Sequence, residues 1–360
     1  MVSWRDPRHP RAGGAERYTA QLASSLVSSG MSVTWLAPTI AGAPATEVSD
    51  GVRIVRIGRG VGHIAASAIY LRRHEQTIDL VIDQANGYPM FTQFAYRGRR
   101  LFLIHQLASE IWFQHGPWLL AGVASFLEPW MLRLYRNTTT ITVSRSTKED
   151  LERLRFRDVR IVPNAVVAGV ARVRSVDGPP HFVAIGRFVP SKRLEHVLRA
   201  FETVRSEIAE ARLTVIGGGT GPYADALAAS VARTPGARLE RGASEERKWD
   251  VLADATALVV TSSREGWGIV VSEAHAVGTP SVAYNVPGLR DSTRHGVNGL
   301  ICRPTAADAA RSMLRLARDA ALWWRLHEGA LESARQQTPG RQRIAALAVV
   351  AEALARRRGT

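Results

Sequence analysis

Two glutamates with seven residues between them, Glu265 and Glu273, bracket Gly266-Trp267-Gly268 in the stretch from Arg264 to Pro280. The apolar run Ala257-Leu-Val-Val-Thr261 predicts a buried strand, and Ile269 to Val277 predicts the helix that follows it. The glycines therefore fall at a helix N-terminus, where backbone amides without intrahelical partners favour an anion. Glu265 lies in the loop before that terminus and Glu273 lies further along the helix. An anion held there has a carboxylate near each end, and carboxylates accept hydrogen bonds from hydroxyls. The arrangement suits a ligand in which sugar, diphosphate and ribose follow in series. The plainer alternative is an acid favoured by the helix dipole plus a solvated helix glutamate. The glycines between the acids, together with a second set of charges upstream, favour the ligand.

That second set is Ile185-Gly-Arg-Phe-Val-Pro-Ser-Lys192, a predicted strand running into a loop and then into the helix Leu194 to Val204. Arg187 and Lys192 leave the carboxyl end of the strand, where doubly wound sheets bind ligands. Two cations there can neutralise charge growing on a departing diphosphate; otherwise they are ordinary surface residues. Gly217-Gly218-Gly219 after the strand Leu213 to Ile216 offers a different class of function. Gly219, Gly221 and Ala224 match a loose dinucleotide fingerprint, with Glu240 about 20 residues on as a ribose acid, as in an oxidoreductase. That fingerprint ordinarily follows the first strand of its domain, and here it follows the second.

The elements that must position these groups alternate between short apolar runs and amphipathic helical patterns, an α/β doubly wound signature. Expected strands are Ser32–Leu36, Val52–Ile57, Leu80–Ile82, Arg100–Ile104 and Thr139–Val143 in the first half, with His181–Ile185, Arg212–Ile216, Leu258–Val260, Ser281–Ala283 and Gly299–Ile301 in the second. Length fits two domains, 1–165 and 181–338, joined by 166–180, which ends Asp177-Gly-Pro-Pro180. A final helix lies within 339–360. A cleft between two such domains is where a ligand is expected. Only Met1-Val-Ser-Trp4 precedes the turn-rich Arg5 to Gly14, so the opening strand is either very short or truncated; the reading adopted is that upstream residues are missing.

Glu265, Gly266-Trp267-Gly268 and Glu273 together resemble the signature of the retaining glycosyltransferases of family 4, with Trp267 where that family usually has Phe. The resemblance extends over nearly the whole chain and is strongest from Gly186 to Gly299. It implies the GT-B fold, two Rossmann-like doubly wound domains facing across a cleft, with the last helix crossing back to the first domain. It implies transfer of a hexose from a nucleoside diphosphate sugar to a hydroxyl acceptor, with Glu265 on donor-sugar hydroxyls, Glu273 on the ribose, and Arg187 and Lys192 on the diphosphate. Gly266, Trp267, Gly268 and Ile269 supply backbone amides, while Gly186, Gly217 and Gly219 shape the floor of the donor site. In the first domain Gly13-Gly14 opens the helix Arg17 to Ser28, and the family sets such a loop beside the donor phosphates, with Gly14 the contact. The run Asp79-Leu-Val-Ile-Asp-Gln-Ala-Asn-Gly87, then Leu103-Ile-His-Gln-Leu107, resembles a bacterial branch in which the histidine after the strand faces the donor sugar, here His105. Asp83 and Asn86 are read as acceptor contacts.

The single cysteine, Cys302, cannot form an intramolecular disulfide, and the N-terminus lacks a basic-then-apolar signal pattern, so a cytoplasmic setting is expected. The longest apolar stretch, Trp118 to Tyr135, is interrupted by Glu128, Pro129 and Arg133 and does not read as a membrane span. Its repeat of Leu119, Leu120, Val123, Leu127, Trp130, Met131 and Leu134 reads as a stripe packed into the core. Beside Trp112 and Trp118, and with a net charge of +15, it also motivates peripheral contact with an anionic membrane at its inner face, to reach a lipid-linked acceptor. A nucleic-acid binder would account for the charge too, but the arginines are scattered and no recognition motif occurs, so no nucleic acid is expected. Only Lys148, Lys192 and Lys248 are lysines, and one retained against such an arginine bias is there for its compact ammonium. No Asp-x-Asp pair and no His/Cys cluster with metal-ligand spacing occurs, so neither metal nor cofactor is expected beyond the donor substrate.

Overall fold

The computed structural model describes residues 1–108, 118–166 and 178–356, without the side chains of 118–121 and 124. Trp112, and Trp118 as a side chain, lie outside the described residues. The chain divides into two compact units, Met1–Ala165 with Pro339–Thr360, and Val166–Thr338.

The first unit holds β1 (Thr34–Ala37), β2 (Thr46–Ser49), β3 (Val52–Arg56), β4 (Leu80–Ala85), β5 (Arg99–Ile104), β6 (Thr140–Thr142) and β7 (Val159–Ile161). They run in two sets, β1-β3-β2 and β4-β5-β6-β7, with β2 the antiparallel edge. Val2 joins the sets. Its amide donates to Ile82, its carbonyl accepts from Gln84, and the amides of Ser3 and Leu36 bond Leu36 and Met1 on the other side. The opening strand is thus a single bridged residue, buried between β1 and β4, and it occupies the turning point of the sheet. The loop that follows is held down by the buried ion pair Arg56–Asp6 at 2.6 Å, with Glu47 on the same guanidinium.

The second unit carries six parallel strands: β8 (His181–Arg187), β9 (Arg212–Gly218), β10 (Ala237–Arg241), β11 (Ala257–Val260), β12 (Ser281–Tyr284) and β13 (Gly299–Cys302). Their order across the sheet is β10-β9-β8-β11-β12-β13. This is the doubly wound order of a Rossmann fold, in which the chain turns back at the β8–β11 boundary. β8, β11 and β12 are almost continuously apolar and buried, as strands covered on both faces must be. One core runs through the unit, from Phe182 and Val183 on β8 to Leu322 and Leu326 on the helix Ala320–Arg335. In the two units together, β2, β7 and β10 were not expected from the sequence; they are short edge-side strands with mixed burial.

The helix Pro339–Ala355 belongs to the first unit, where it packs on the helix Gly14–Val27 and on β5. Gln342 donates to the Pro163 carbonyl, and Glu352 pairs with Arg160 at 3.0 Å.

The helix Trp118–Arg133 departs from the expected core stripe. Leu132 and Tyr135 are buried against β5 and its neighbours, whereas Val123, Leu127, Trp130 and Leu134 are exposed, and Phe126 is 70% exposed. The face turned inward also carries Glu128, which accepts from the Ala108 amide at 2.6 Å. The helix is apolar on more than one face, so periodicity alone did not say which face the core takes.

Candidate donor site

β8 and β11 are neighbours, so the loops that leave their carboxyl ends emerge side by side. The first loop makes a short turn, Pro190–Lys192, and is tied to the second: the Ser263 amide donates to the Ser191 carbonyl, and the Thr261 hydroxyl lies within bonding distance of the carbonyls of Lys192 and Arg193. These ties bring the Lys192 ammonium onto Oε1 of Glu265, where the Ser262 hydroxyl also donates at 2.7 Å. Both side chains of the pair keep some solvent exposure, 23% for Lys192 and 15% for Glu265. Arg187 ends β8 as an exposed cation.

Gly268 caps the helix Ile269–Ala276 at φ +86°, and a Cβ there would also meet Leu289 at 2.9 Å. Only glycine takes that conformation without strain. Gly288 has φ +82°, and a Cβ on it would lie 2.2 Å from the Glu265 carbonyl oxygen. The backbone of Glu265 is therefore seated directly on that glycine, with its amide on the Pro287 carbonyl at 3.1 Å. Asn285 to Asp291, which the sequence shows only as a turn, is a seat for the acid. The Trp267 indole donates to Ser272 at 2.8 Å, and Ser272 in turn bonds Gln337. Its side chain braces the helix, which leaves its backbone amide as the group that a ligand can use.

Glu273 is buried on that helix and accepts from Lys248 at 2.8 Å. Lys248, with Glu245 and Ser262, was missed as a site residue. The available signal was composition: two of only three lysines in the chain fall on the two glutamates of the motif.

Gly186 and Gly217 lie side by side in the paired strands β8 and β9, and Gly219 packs against Phe188, whose carbonyl would lie 2.9 Å from a Cβ there. The dinucleotide alternative does not come together. Glu240 is held by Nε and Nη2 of Arg247, at 3.0 and 2.8 Å, and by Arg238 at 2.9 Å, which draws its pKa down. Its oxygens are engaged by guanidinium groups in place of a ribose.

In the first unit, Gly13 caps the helix Gly14–Val27, and Glu16 reaches back to the Gly13 amide at 2.7 Å, leaving Gly14 exposed as the first helical residue. The second Glu16 oxygen takes Asn86 at 3.0 Å and Arg5 at 3.3 Å. Asn86 therefore belongs to a cluster centred on Glu16, which the capping spacing from Gly13 could have flagged. His105 follows β5 with its ring edge-on to Tyr18, and its Nε2 lies 3.3 Å from the Gln84 amide nitrogen. Burial pushes its pKa down to about 4, so it is neutral at physiological pH.

Asp83 is not an acceptor contact. It is fully buried, and its two oxygens take the Met90 and Thr92 amides, the Thr92 hydroxyl and the Tyr135 hydroxyl, all at 2.6–2.9 Å. It anchors the turn after β4.

The family models match the same two units. Residues 171–333 match the glycosyl transferases group 1, and residues 12–169 match glycosyltransferase family 4. The chain is a glycosyltransferase of the family 4 type. Relatives of this glycosyltransferase include the glycogen synthase of Mycobacterium tuberculosis, 25% identical over 87% of this chain and 85% of the relative. Another is a D-inositol 3-phosphate glycosyltransferase of Nocardioides, 32% identical over 49% of this chain and 44% of that one. Its fold is that of the GT-B enzymes. Sucrose-phosphate synthase from Thermosynechococcus elongatus superposes with a TM-score of 0.80 at 20% identity, covering 98% of this chain and 96% of that one. HepE of Anabaena in complex with UDP-glucose gives 0.75 at 14% identity, covering 98% of each. Among the described residues no group of three or more His, Cys, Asp or Glu is placed to hold a metal ion, and no helix is long and apolar enough to cross a membrane.

Proposed function

We propose that this glycosyltransferase moves a hexose from a nucleoside diphosphate sugar to a hydroxyl acceptor, with retention of anomeric configuration and without a metal ion. The observation that carries the reading is the meeting of Lys192, Glu265 and a glycine-capped helix N-terminus at the β8–β11 turning point. Glu265, seated on Gly288, accepts hydrogen bonds from the donor sugar, and Glu273 accepts them from the ribose. As the bond from the anomeric carbon to the diphosphate breaks, the leaving oxygens gain charge. Lys192, Arg187 and the amides from Gly266 to Ile269 take that charge, the part a divalent ion plays elsewhere. The acceptor oxygen then bonds the anomeric carbon from the face the diphosphate left, and its hydroxyl proton passes to the departing diphosphate oxygen. The UDP-glucose bound by HepE supports the choice of donor class.

A thermal-shift panel of UDP, GDP and ADP, their glucose and mannose conjugates, and NAD(H), with and without magnesium, tests this. Stabilisation by one nucleoside diphosphate in the absence of magnesium is the expected result. A response to NAD(H) alone, or a strict need for magnesium, would overturn it.

The exposed face Val123, Phe126, Leu127, Trp130 and Leu134 favours a lipid-linked acceptor at an anionic membrane surface. Exposed Arg133, 4.9 Å from the Trp130 ring centroid, and exposed Arg136 supply the matching charge. The protein is expected to sediment with phosphatidylglycerol vesicles at physiological salt and to lose most of that binding on Phe126→Ser with Trp130→Ser. Recovery of the wild-type protein wholly in the supernatant would sink this reading.

A further inference from the structure

Both glutamates of the motif carry a lysine, but the two pairs differ in setting. Lys192 and Glu265 share a partly solvated site, whereas Lys248 and Glu273 are 8% and 4% exposed as side chains. A buried charge is tolerated only when paired and hydrogen-bonded. Lys248 meets that condition from its own helix, Glu245–Ala253, through the exposed Glu245 three residues back, at 2.7 Å. It then hands a second bond across to Oε1 of Glu273 on the helix Ile269–Ala276, at 2.8 Å. The ammonium lies over the Trp249 ring, 5.2 Å from its centroid. A carboxylate has about four lone-pair sites, and an ammonium is a compact three-proton donor, so one Lys bond fixes the acid without consuming its capacity to accept.

We propose that Lys248 is the positioning residue that makes Glu273 a ribose reader. By bridging two helices it holds the Glu273 carboxylate in one orientation, so that this oxygen pair discriminates a ribose from a deoxyribose. The proposal rests on the assignment of Glu273 to the ribose hydroxyls made above. Glu245 anchors the far side of Lys248 and touches no ligand.

The test is a cycle between protein and ligand, measured by calorimetric titration of UDP, ADP and GDP against their 2′-deoxy counterparts. The wild-type chain is expected to bind its preferred ribonucleotide about 10–100-fold more tightly than the deoxy form, the range for hydrogen bonds to a charged group. In Lys248→Met that ratio is expected to collapse to less than about threefold, because the ammonium that orients the acid is gone. A role limited to stability would lower the melting temperature and leave the ratio unchanged. Lys248→Gln is the second variant, should the methionine chain fail to fold, and the same collapse is expected of it. Glu245→Gln keeps the bond to Glu273 and should keep the ratio. A folded Lys248→Met or Lys248→Gln protein with the wild-type ratio overturns the role of Lys248 while leaving the donor site in place. A wild-type chain that binds nucleoside diphosphates but shows no ribose preference overturns the assignment of Glu273, and this role with it. A wild-type chain that binds none of the nucleotides overturns the donor reading itself.

Discussion

Lys192→Ala is expected to lower kcat by about 10²–10³-fold, the range for removing one preorganised group that meets charge developing in a transition state. The same change should move the melting temperature by only a few degrees. The reason for the split is visible in the pair. Glu265 would lose its ammonium but keep the Ser262 hydroxyl at 2.7 Å and some contact with solvent, so no fully buried charge is stranded. The leaving diphosphate, in contrast, would lose a cation tied to the end of β8 by the Thr261 and Ser263 hydrogen bonds. Lys192→Arg should not restore full activity, because a planar guanidinium cannot replace a compact ammonium at this spacing. Steady-state kinetics with the donor found in the thermal panel, alongside a melting curve, provide the check. A Lys192→Ala enzyme with kcat within about threefold of wild type would refute the diphosphate assignment.

The second large effect falls on stability. Asp83→Ala strands four donors that now end on one buried carboxylate: the Met90 amide, the Thr92 amide and hydroxyl, and the Tyr135 hydroxyl. Each buried donor left unsatisfied costs about 1–3 kcal/mol, so a loss on the order of 4 kcal/mol is expected. At roughly 2–4 °C per kcal/mol for a unit of this size, that is about 10 °C or more in melting temperature. Burial raises the Asp83 pKa despite these bonds, so the site depends on all four donors to hold the acid. At a temperature where the variant stays folded, its acceptor KM should be unchanged. The opposite pattern, an intact melting curve with a raised acceptor KM, would return Asp83 to the role its position in the sequence suggested.

The fate of Asp83 shows where reading the chain ends. At the end of a predicted strand, an aspartate that contacts a ligand and one that ties down a turn look the same. The choice is made by Tyr135, which lies 52 residues away in sequence. The helix Trp118–Arg133 is a similar case: its apolar residues are evident along the chain, but which of them face β5 depends on the seat the helix takes in the unit. The bridge at Val2 is hard to see in the sequence because its two partners, Leu36 and Asp83, lie far along the chain.

What the sequence determined by itself is whatever depends on neighbours along the chain. The alternation of apolar runs with amphipathic helices specifies a doubly wound sheet, and a strand end, a glycine and a helix start in succession place Glu265 and Gly268 at one helix N-terminus, with Glu273 further along that helix. Those relations are set by the 3.6-residue and two-residue periods and by the need for glycine at positive φ. What only the tertiary structure decided is which lysine meets which acid. Lys192 reaches Glu265 across 73 residues because β8 and β11 are adjacent in the sheet, and Lys248 reaches Glu273 because two consecutive helices pack together. Strand order and helix packing are settled by the burial of whole faces, and a local pattern of residues does not contain that information.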